Sequence, residues 1–225
     1  MSLRKGGSMT LAPDFLYAIA VKIIPLILAI TLHEAAHGYV AKMLGDRTAQ
    51  MLGRVTLNPL KHIDPVGTLA LPGILFLAGS SFLFGWAKPV PVNFKNLKDM
   101  RWSVIAVAVA GPGANLILAL ISAFLMHIVV AFFSAFAFAK PLYEMLIFSI
   151  QINVVLMVFN LLPLLPLDGG RIINALLPPK ISYQFEKTEP FGIWIVLILG
   201  MIDVLFMFIG PVIQNILHMF NYLLP

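Results

Sequence analysis

The stretch AITLHEAAHGYVAKML, residues 29–44, places two histidines and a carboxylate at the end of a long apolar run. The whole run covers roughly residues 14–44, more than the ~20 apolar residues that a helix needs to cross the hydrocarbon core of a bilayer. Ionisable groups inside a membrane are costly, and they usually mark a functional site. The stretch therefore predicts a membrane-spanning helix that carries such a site.

The composition of the chain also indicates a membrane protein. Of its 225 residues, 60% are hydrophobic and 11% are charged, whereas soluble domains carry about 25% charged residues. Cysteine is absent, which excludes disulfides and thiolate metal ligands. The net charge of +5 comes from lysines and arginines scattered among short loops, so it predicts membrane topology and no nucleic-acid partner.

Three further apolar segments are long enough to span a bilayer, at 103–138, 142–167 and 191–222. We expect the last of them to kink or break at Gly210-Pro211. The predicted fold is an all-α polytopic membrane protein with about four to five transmembrane helices.

The chain is expected to form one domain. Residues 1–8 precede a second methionine and look like an expression remnant, which leaves residues 9–225 as a single intramembrane domain.

The apolar run 68–85 is shorter, and proline, glycine and serine interrupt it. Basic residues flank it on both sides, namely Lys42, Arg47, Arg54 and Lys61 before it and Lys88, Lys95, Lys98 and Arg101 after it. Because lysine and arginine are enriched in cytoplasmic loops, both flanks are expected on the cytoplasmic side. We therefore expect 68–85 to be re-entrant, with a fifth full span as the alternative.

Residues 86–102 then form a cytoplasmic loop. Within it, KPVPVNF (88–94) alternates valine with proline, a pattern that suits an edge strand able to hold an extended peptide. A plain proline-rich connector explains the same residues equally well. With this topology the loop at 168–190 is also cytoplasmic, and the functional site opens toward the cytoplasm.

His33 and His37 are four residues apart, so they lie on the same face of a helix and can bind one metal ion. Glu34 lies beside the first histidine, as in the H-E-x-x-H arrangement of zinc peptidases, where the glutamate is the general base. Catalytic zinc needs three protein ligands and an open fourth position for water. A third ligand must therefore come from another part of the chain.

Asp168 is the best candidate for the third ligand. It ends the segment FNLLPLLPLD, follows Pro163 and Pro166, and precedes Gly169-Gly170. The prolines interrupt a regular helix and the glycines allow a sharp turn, which can direct the carboxylate into the helix bundle. From these residues alone, an ordinary turn aspartate at the membrane edge is an equally good interpretation.

Together, HExxH in a first helix, AGPGAN (110–115) and FNLLPLLPLDGGR (159–171) resemble the site-2 protease family of intramembrane zinc metalloproteases, in its short form without a PDZ domain. The resemblance implies one Zn²⁺ ion per chain, held by His33, His37 and Asp168, with Glu34 as the catalytic acid and base. It also implies that Asn160 assists substrate or transition-state binding. The expected substrates are single-span membrane proteins or signal-peptide-like segments in a bacterial or archaeal cell membrane.

Other polar residues have two interpretations each. Asn160 either stabilises an oxyanion or ties two helices together, and Asn115 either packs near the site or contacts substrate. His62 is either an additional metal ligand or regulatory group, or part of a capped turn. Asp203 is expected to be paired within the bundle or to lie close to a wet surface, without a catalytic role.

Two other functions compete with proteolysis. In a membrane metal-ion transporter, His33, His37 and Asp168 would bind the translocated ion. A non-catalytic relative would bind membrane helices without cutting them. A transporter has no need of a base next to its first ligand, so Glu34 favours the protease.

Overall fold

The computed structural model describes residues 11–78 and 85–225. The expected remnant 1–8 lies outside these residues. In chain order the α-helices are α1 Leu11–Met43, α2 Thr48–Met51, α3 Leu71–Leu77, α4 Trp102–Ile128, α5 Ala139–Asn160, α6 Asp168–Leu176, α7 Pro179–Glu186, α8 Glu189–Met201 and α9 Val204–Asn221. Short 3₁₀ turns lie at Pro59–Lys61 and Phe94–Asn96, and π-helical turns lie at Pro65–Ala70 and Val129–Phe133.

Four helices among the described residues are long and apolar enough to cross a membrane, which confirms the predicted all-α membrane fold. They cover Ile19–Met43, Trp102–Phe133, Ala139–Asn160 and Val204–Asn221. The second continues from α4 through the π-helical turn.

The C-terminal apolar segment was expected to be one helix over 191–222, and this expectation is wrong. The segment divides into α8 and α9 at Asp203, whose φ of 59° is left-handed. Aspartate adopts this conformation more readily than bulkier residues do. The predicted break at Gly210-Pro211 is absent, since both residues lie inside α9.

The region between α2 and α4 also differs from expectation. The described part of the run 68–85 is helical, because the π-helical turn leads directly into α3. Residues 79–84, where a re-entrant chain would turn back, lie outside the described residues, and the helix before them does not support a re-entrant segment.

Of the two alternatives for 88–94, the edge strand does not form, and the described ranges contain no β-strand at all. Pro89 and Pro91 have no N–H to donate to a neighbouring strand. The N–H of Val90 between them donates instead to Glu34 Oε2, at 2.9 Å.

The core of the bundle is the packing of α1, α4 and α5 against one another, and α6 packs against α4. Small residues lie where these helices meet. Ala29 on α1 and Ala119 and Ala123 on α4 are almost completely buried, which lets the helix backbones approach closely. This close approach brings the N-terminal motif on α1 next to the AGPGAN motif on α4.

Residues 86–98, which we call the strap, are attached to α1 and to the loops that follow it. Five backbone N–H groups of the strap donate outward, at 2.7–3.1 Å: Trp86 to Gly67 O, Lys88 to His62 O, Val90 to Glu34 Oε2, Asn93 to Asp46 Oδ2 and Lys98 to Leu44 O. Gly45 has φ +115°, and an ideal Cβ there would lie 2.9 Å from Asn96 O. Glycine thus lets the chain after α1 turn closely under the strap.

Asp46 is the main attachment point of the strap. Its side chain is completely buried. It accepts hydrogen bonds from the backbone and hydroxyl of Thr48, from the Asn93 N–H and from the Asn96 amide. Burial alone would raise the pKa of Asp46, but these hydrogen bonds outweigh it and hold the pKa below its usual 3.8. The stabilisation is therefore fully present above pH 3.8 and is lost as the pH falls through the lowered pKa.

Replacing Asp46 with alanine leaves these buried donors without an acceptor, which costs about 1–3 kcal/mol for such a group. We expect Asp46→Ala to release the strap, so that trypsin cleaves after Lys95 and Lys98 several-fold faster in detergent. Glu186→Ala is the control, because that carboxylate accepts a hydrogen bond from the Asn174 amide, which is not part of the strap. Equal cleavage rates in Asp46→Ala and wild type would contradict the attachment.

Candidate metal centre

The two histidines of the HExxH motif project from one face of α1, as their spacing predicts. Their rings are nearly perpendicular, with centroids 4.7 Å apart, and their Nε2 atoms are separated by 3.1 Å. The side chains are 8% exposed at His33 and 12% exposed at His37. Two imidazole nitrogens therefore meet at one point inside the bundle.

Asp168, the first residue of α6, brings its carboxylate to the same point. Its Oδ2 lies 3.4 Å from His33 Nε2 and its Oδ1 lies 3.4 Å from His37 Nε2. The three residues form a group whose candidate ligand atoms all lie within 4.8 Å of one another. Residues 135 positions apart in the chain are thus brought together, from α1 and from the start of α6.

The loop before α6 positions Asp168 through unusually close backbone contacts. A Cβ at Gly169 would overlap the Leu161 carbonyl, and a Cβ at Gly170 would overlap the backbone of Leu164. Only glycine permits the turn to fold back so tightly on the end of α5. The two glycines after the aspartate are therefore a steric requirement of its position.

Helix α8 supports the same loop from the other side. A Cβ at Gly192 would overlap the Leu165 carbonyl, so the backbone of α8 packs directly on the loop. Arg171 on α6 also forms a 2.8 Å ion pair with Glu189 at the start of α8. This support could not be predicted, because nothing in the local sequence around Gly192 identifies its distant contact.

The hydrogen bonds of His37 determine which of its nitrogens faces Asp168. His37 Nδ1 lies 2.7 Å from the carbonyl oxygen of Val107 on α4. A backbone carbonyl can only accept, so Nδ1 carries the proton and donates it. In the neutral imidazole the Nε2 atom then has a free lone pair that points toward His33 and Asp168.

His33 has a corresponding contact with Asn115, the last residue of the AGPGAN motif. His33 Nδ1 and Asn115 Oδ1 are 2.6 Å apart. Asn115 is completely buried, and its amide nitrogen donates to Ala29 O and Asn153 Oδ1. These contacts favour a positioning role for Asn115 over the expected alternative of substrate contact.

These residues fit a divalent cation. Two Nε2 lone pairs and a carboxylate converge, and Asp168 Oδ2 is a buried atom without a hydrogen-bond partner among the described residues. Ligand atoms at zinc's usual distances of about 2.0–2.1 Å in a tetrahedral site lie about 3.4 Å apart, close to the observed 3.1–3.4 Å. Imidazole nitrogen and carboxylate oxygen are both common zinc ligands.

Glu34 lies beside this group and outside it. Its Oε2 accepts the 2.9 Å hydrogen bond from the Val90 N–H of the strap. The strap can approach α1 here because residue 38 is glycine, where an ideal Cβ would lie 3.0 Å from Val90 Cγ1. The contribution of Val90 could not be predicted from the sequence, since the donor is a backbone N–H, which every residue except proline has.

The hydrogen bonds that the structure shows for the remaining sequence candidates go to groups other than His33, His37 and Asp168. Asn160 ends α5, and its amide donates to Leu156 O in its own helix at 2.9 Å. His62 is buried and its Nε2 donates to Thr56 O, which holds a loop near the strap. Asp203 occupies the left-handed turn between α8 and α9. Among the described residues, the group of side chains that could hold a metal ion is therefore His33, His37 and Asp168.

Comparison with known proteins gives consistent matches. The family model for "Peptidase family M50" matches residues 21–144 and 125–202. "Putative zinc metalloprotease YwhC" of Bacillus subtilis is 45% identical over 79% of this chain and 78% of its own length. "Putative zinc metalloprotease Rip2" of Mycolicibacterium smegmatis is 29% identical over 77% of this chain, and "Zinc metalloprotease MJ0392" of Methanocaldococcus jannaschii is 27% identical over 73%.

The matched region covers 63% of Rip2 and 36% of MJ0392, so this chain spans less than two thirds of those two relatives. No solved structure matches the chain significantly.

The fit of the histidines against α4 gives a direct test of the metal site. A Cβ at Gly111 would overlap His37 Nε2 and lie 2.6 Å from His33 Nε2, whereas a Cβ at Gly113 would contact nothing within 4 Å. We therefore expect Gly111→Ala to lower divalent-cation affinity at least tenfold, as loss of ligand geometry does, while Gly113→Ala binds like wild type.

The measurement is the Kd of Zn²⁺, by competition with a chromogenic chelator in detergent. Similar affinities for Gly111→Ala and Gly113→Ala would contradict the placement of the metal beside Gly111.

Proposed function

The chain belongs to peptidase family M50, and from this premise we propose that it is an intramembrane zinc endopeptidase. It hydrolyses peptide bonds in the membrane-spanning segments of membrane-anchored substrates. The observation that carries the proposal is the meeting of His33, His37 and Asp168 beside a non-ligating glutamate, within a bundle of membrane-spanning helices. The name of the family and the names of the relatives support a membrane zinc metalloprotease.

In the proposed site, His33, His37 and Asp168 hold one zinc ion, through two Nε2 atoms and a carboxylate. When bound, zinc would polarise a carbonyl group and lower the pKa of a coordinated water far below its value in bulk solvent. The protein contributes the geometry. Val107 and Asn115 fix the imidazole rings, and the turn at Gly169-Gly170 fixes the carboxylate.

Glu34 is the proposed general base and acid. Its carboxylate takes a proton from the attacking water and later delivers it to the amine of the leaving segment. The Val90 N–H holds one carboxylate oxygen, Oε2, so Oε1 is the oxygen left to exchange the proton. A hydrogen bond from a fixed backbone donor restricts the rotation of the Glu34 side chain and thereby keeps its carboxylate directed toward the attacking water.

The substrate must unwind where it is cut, since the amides of a membrane helix are all paired internally. We propose single-span proteins or signal-peptide-like segments as substrates, cut near their cytoplasmic end. Asn160, at the end of α5, is the candidate residue for transition-state contact. Its Nδ2 donates one hydrogen bond to Leu156 O, which leaves Oδ1 and the other Nδ2 proton to contact the substrate.

The proposed location is a bacterial or archaeal cell membrane, with the site opening toward the cytoplasm. Lysine and arginine support this orientation, because they are concentrated in the loops between α1 and α4 and between α5 and α8. Residues 9–225 are proposed to form a single catalytic domain.

Replacing Glu34 with glutamine removes the base and retains the shape of the side chain. We expect Glu34→Gln to lower kcat by about 10²–10⁴-fold, the usual contribution of a general base, with zinc content unchanged. The assay is cleavage of a single-span substrate in detergent or liposomes. A variant that still cuts at the wild-type rate would contradict the role of Glu34. If Glu34→Gln loses proteolysis, and neither it nor wild type carries zinc into liposomes, the alternative function as a metal-ion transporter is also excluded.

Replacing Val90 with proline removes the N–H that holds Glu34. Hydrogen bonds to charged groups contribute about 1.5–3 kcal/mol, so we expect Val90→Pro to lower kcat about tenfold or more with KM nearly unchanged. Val90→Ala is the matched control, because it shortens the side chain and keeps the N–H. Equal kcat values for the two variants would show that the hydrogen bond does not position the base.

A further inference from the structure

A continuous chain of buried polar groups leads away from the metal centre, across three helices. It runs from His33 on α1 to Asn115 on α4 and then to Asn153 on α5, with distances of 2.6 Å and 2.8 Å between successive polar atoms. Asn153 Nδ2 then donates to Ser149 O at 2.8 Å, and Ser149 Oγ accepts from Ser122 at 2.8 Å. Asn153 is 1% exposed, and its side chain forms hydrogen bonds with Asn115 and Ser149.

In this series of polar groups, the Ser149 carbonyl determines the direction of each hydrogen bond, because it lies at the end farther from the metal centre. The backbone carbonyl of Ser149 can only accept, so it must face the amide nitrogen of Asn153. The oxygen of Asn153 therefore faces Asn115, and it accepts from the Asn115 amide nitrogen. The carbonyl of Ala29 also accepts from this nitrogen, at the longer distance of 3.3 Å.

The oxygen of Asn115 is consequently the atom that faces His33 Nδ1. An amide oxygen can only accept, so His33 must carry its proton on Nδ1 and leave the Nε2 lone pair free. If the Asn115 amide were flipped, its NH₂ group would face Nδ1. The imidazole proton would then lie on Nε2, the atom that faces Asp168, where it excludes a cation.

We propose that Asn153 is a positioning residue of the metal centre. It fixes the orientation of the Asn115 amide and thereby keeps His33 in the tautomer that presents Nε2 to the metal. The inference rests on the proposed function, since it assumes that His33 is a ligand. It adds a residue that has no metal-binding chemistry of its own and whose hydrogen bonds reach His33 through Asn115.

The competing explanation is that Asn153 only joins α4 to α5, as polar residues in membrane bundles often do. The two explanations differ in what they predict for protein without metal. Simple helix joining affects stability alone. Tautomer selection also affects which nitrogen of His33 is protonated, before any metal is present.

His37 provides an internal reference for this comparison. The Val107 carbonyl fixes its tautomer without any contribution from Asn115 or Asn153. A change confined to His33 therefore indicates the polar chain, while a change in both histidines indicates a general disturbance of the bundle.

The test compares wild type with Asn153→Leu, which has a similar size and no hydrogen-bonding group, and with Ser122→Ala. Ser122 is the matched control, because its removal leaves the bond from Asn153 to the Ser149 carbonyl intact. Three quantities are measured in detergent, namely the ring ¹⁵N chemical shifts of the histidines in metal-free protein, the Kd of Zn²⁺, and the thermal unfolding midpoint.

In wild type and Ser122→Ala we expect His33 to be protonated on Nδ1 alone. In Asn153→Leu we expect His33 to become a mixture of tautomers while His37 is unchanged. Direct partners of metal ligands typically contribute 10–100-fold to affinity. Because Asn153 acts through Asn115, we expect its loss to raise the Kd of Zn²⁺ about threefold to tenfold.

The inference is overturned if Asn153→Leu keeps the wild-type His33 shifts and a Kd within about twofold, even when its unfolding midpoint falls. Should the leucine variant not fold, Asn153→Ala gives the same comparison with a cavity in place of the apolar side chain. If wild type binds no zinc at His33, the proposed function itself is wrong. If wild type binds zinc there and Asn153→Leu binds it equally well, only the role of Asn153 is wrong.

Discussion

The site depends on one constraint, which is that polar groups inside an apolar bundle must find partners within the protein. The two imidazoles direct their Nε2 lone pairs toward the Asp168 carboxylate, because their Nδ1 atoms already form hydrogen bonds. The carbonyl oxygen of Val107 accepts a hydrogen bond from His37 Nδ1, and Asn115 Oδ1 faces Nδ1 of His33. In the proposed site, one shared cation would satisfy both Nε2 atoms and the carboxylate.

Close backbone approach makes this convergence possible. Glycine at 111 leaves room for the imidazoles against α4, glycines at 169 and 170 tighten the turn that carries Asp168, and Gly192 lets α8 pack on that turn. None of these glycines takes part in the chemistry. Each permits one element to lie closer to the site than any side chain would allow, so the metal geometry and the helix packing are determined by the same contacts.

The catalytic motif could be predicted from the sequence because its signal is local. Two histidines four residues apart share a helix face, and a Pro-rich segment ending in Asp-Gly-Gly predicts a turn. The supporting residues could not be predicted in this way. Asn153 and Val90 act through contacts 38 and 56 residues away along the chain, and the Val90 donor is a backbone group. The break at Asp203 depends on a left-handed backbone conformation. Aspartate can adopt this conformation but does not have to, so the residue type alone does not predict the break.

The edge strand, one of the two structures considered for 88–94, does not form for a related reason. Alternating valines and prolines are compatible with an extended strand, but the Val90 N–H is engaged by Glu34, and the strap is held by Asp46 and the loops after α1. The tertiary contacts of the strap thus decide its structure, and they place it directly above the proposed general base.

The most direct test of this account is an anomalous-difference map, measured at the zinc absorption edge from crystals of zinc-loaded protein. The account predicts one peak between α1 and the start of α6, bounded by His33 Nε2, His37 Nε2 and the Asp168 carboxylate at about 2.0–2.2 Å. A peak at any other position, or no peak at these three residues in fully loaded protein, would contradict it.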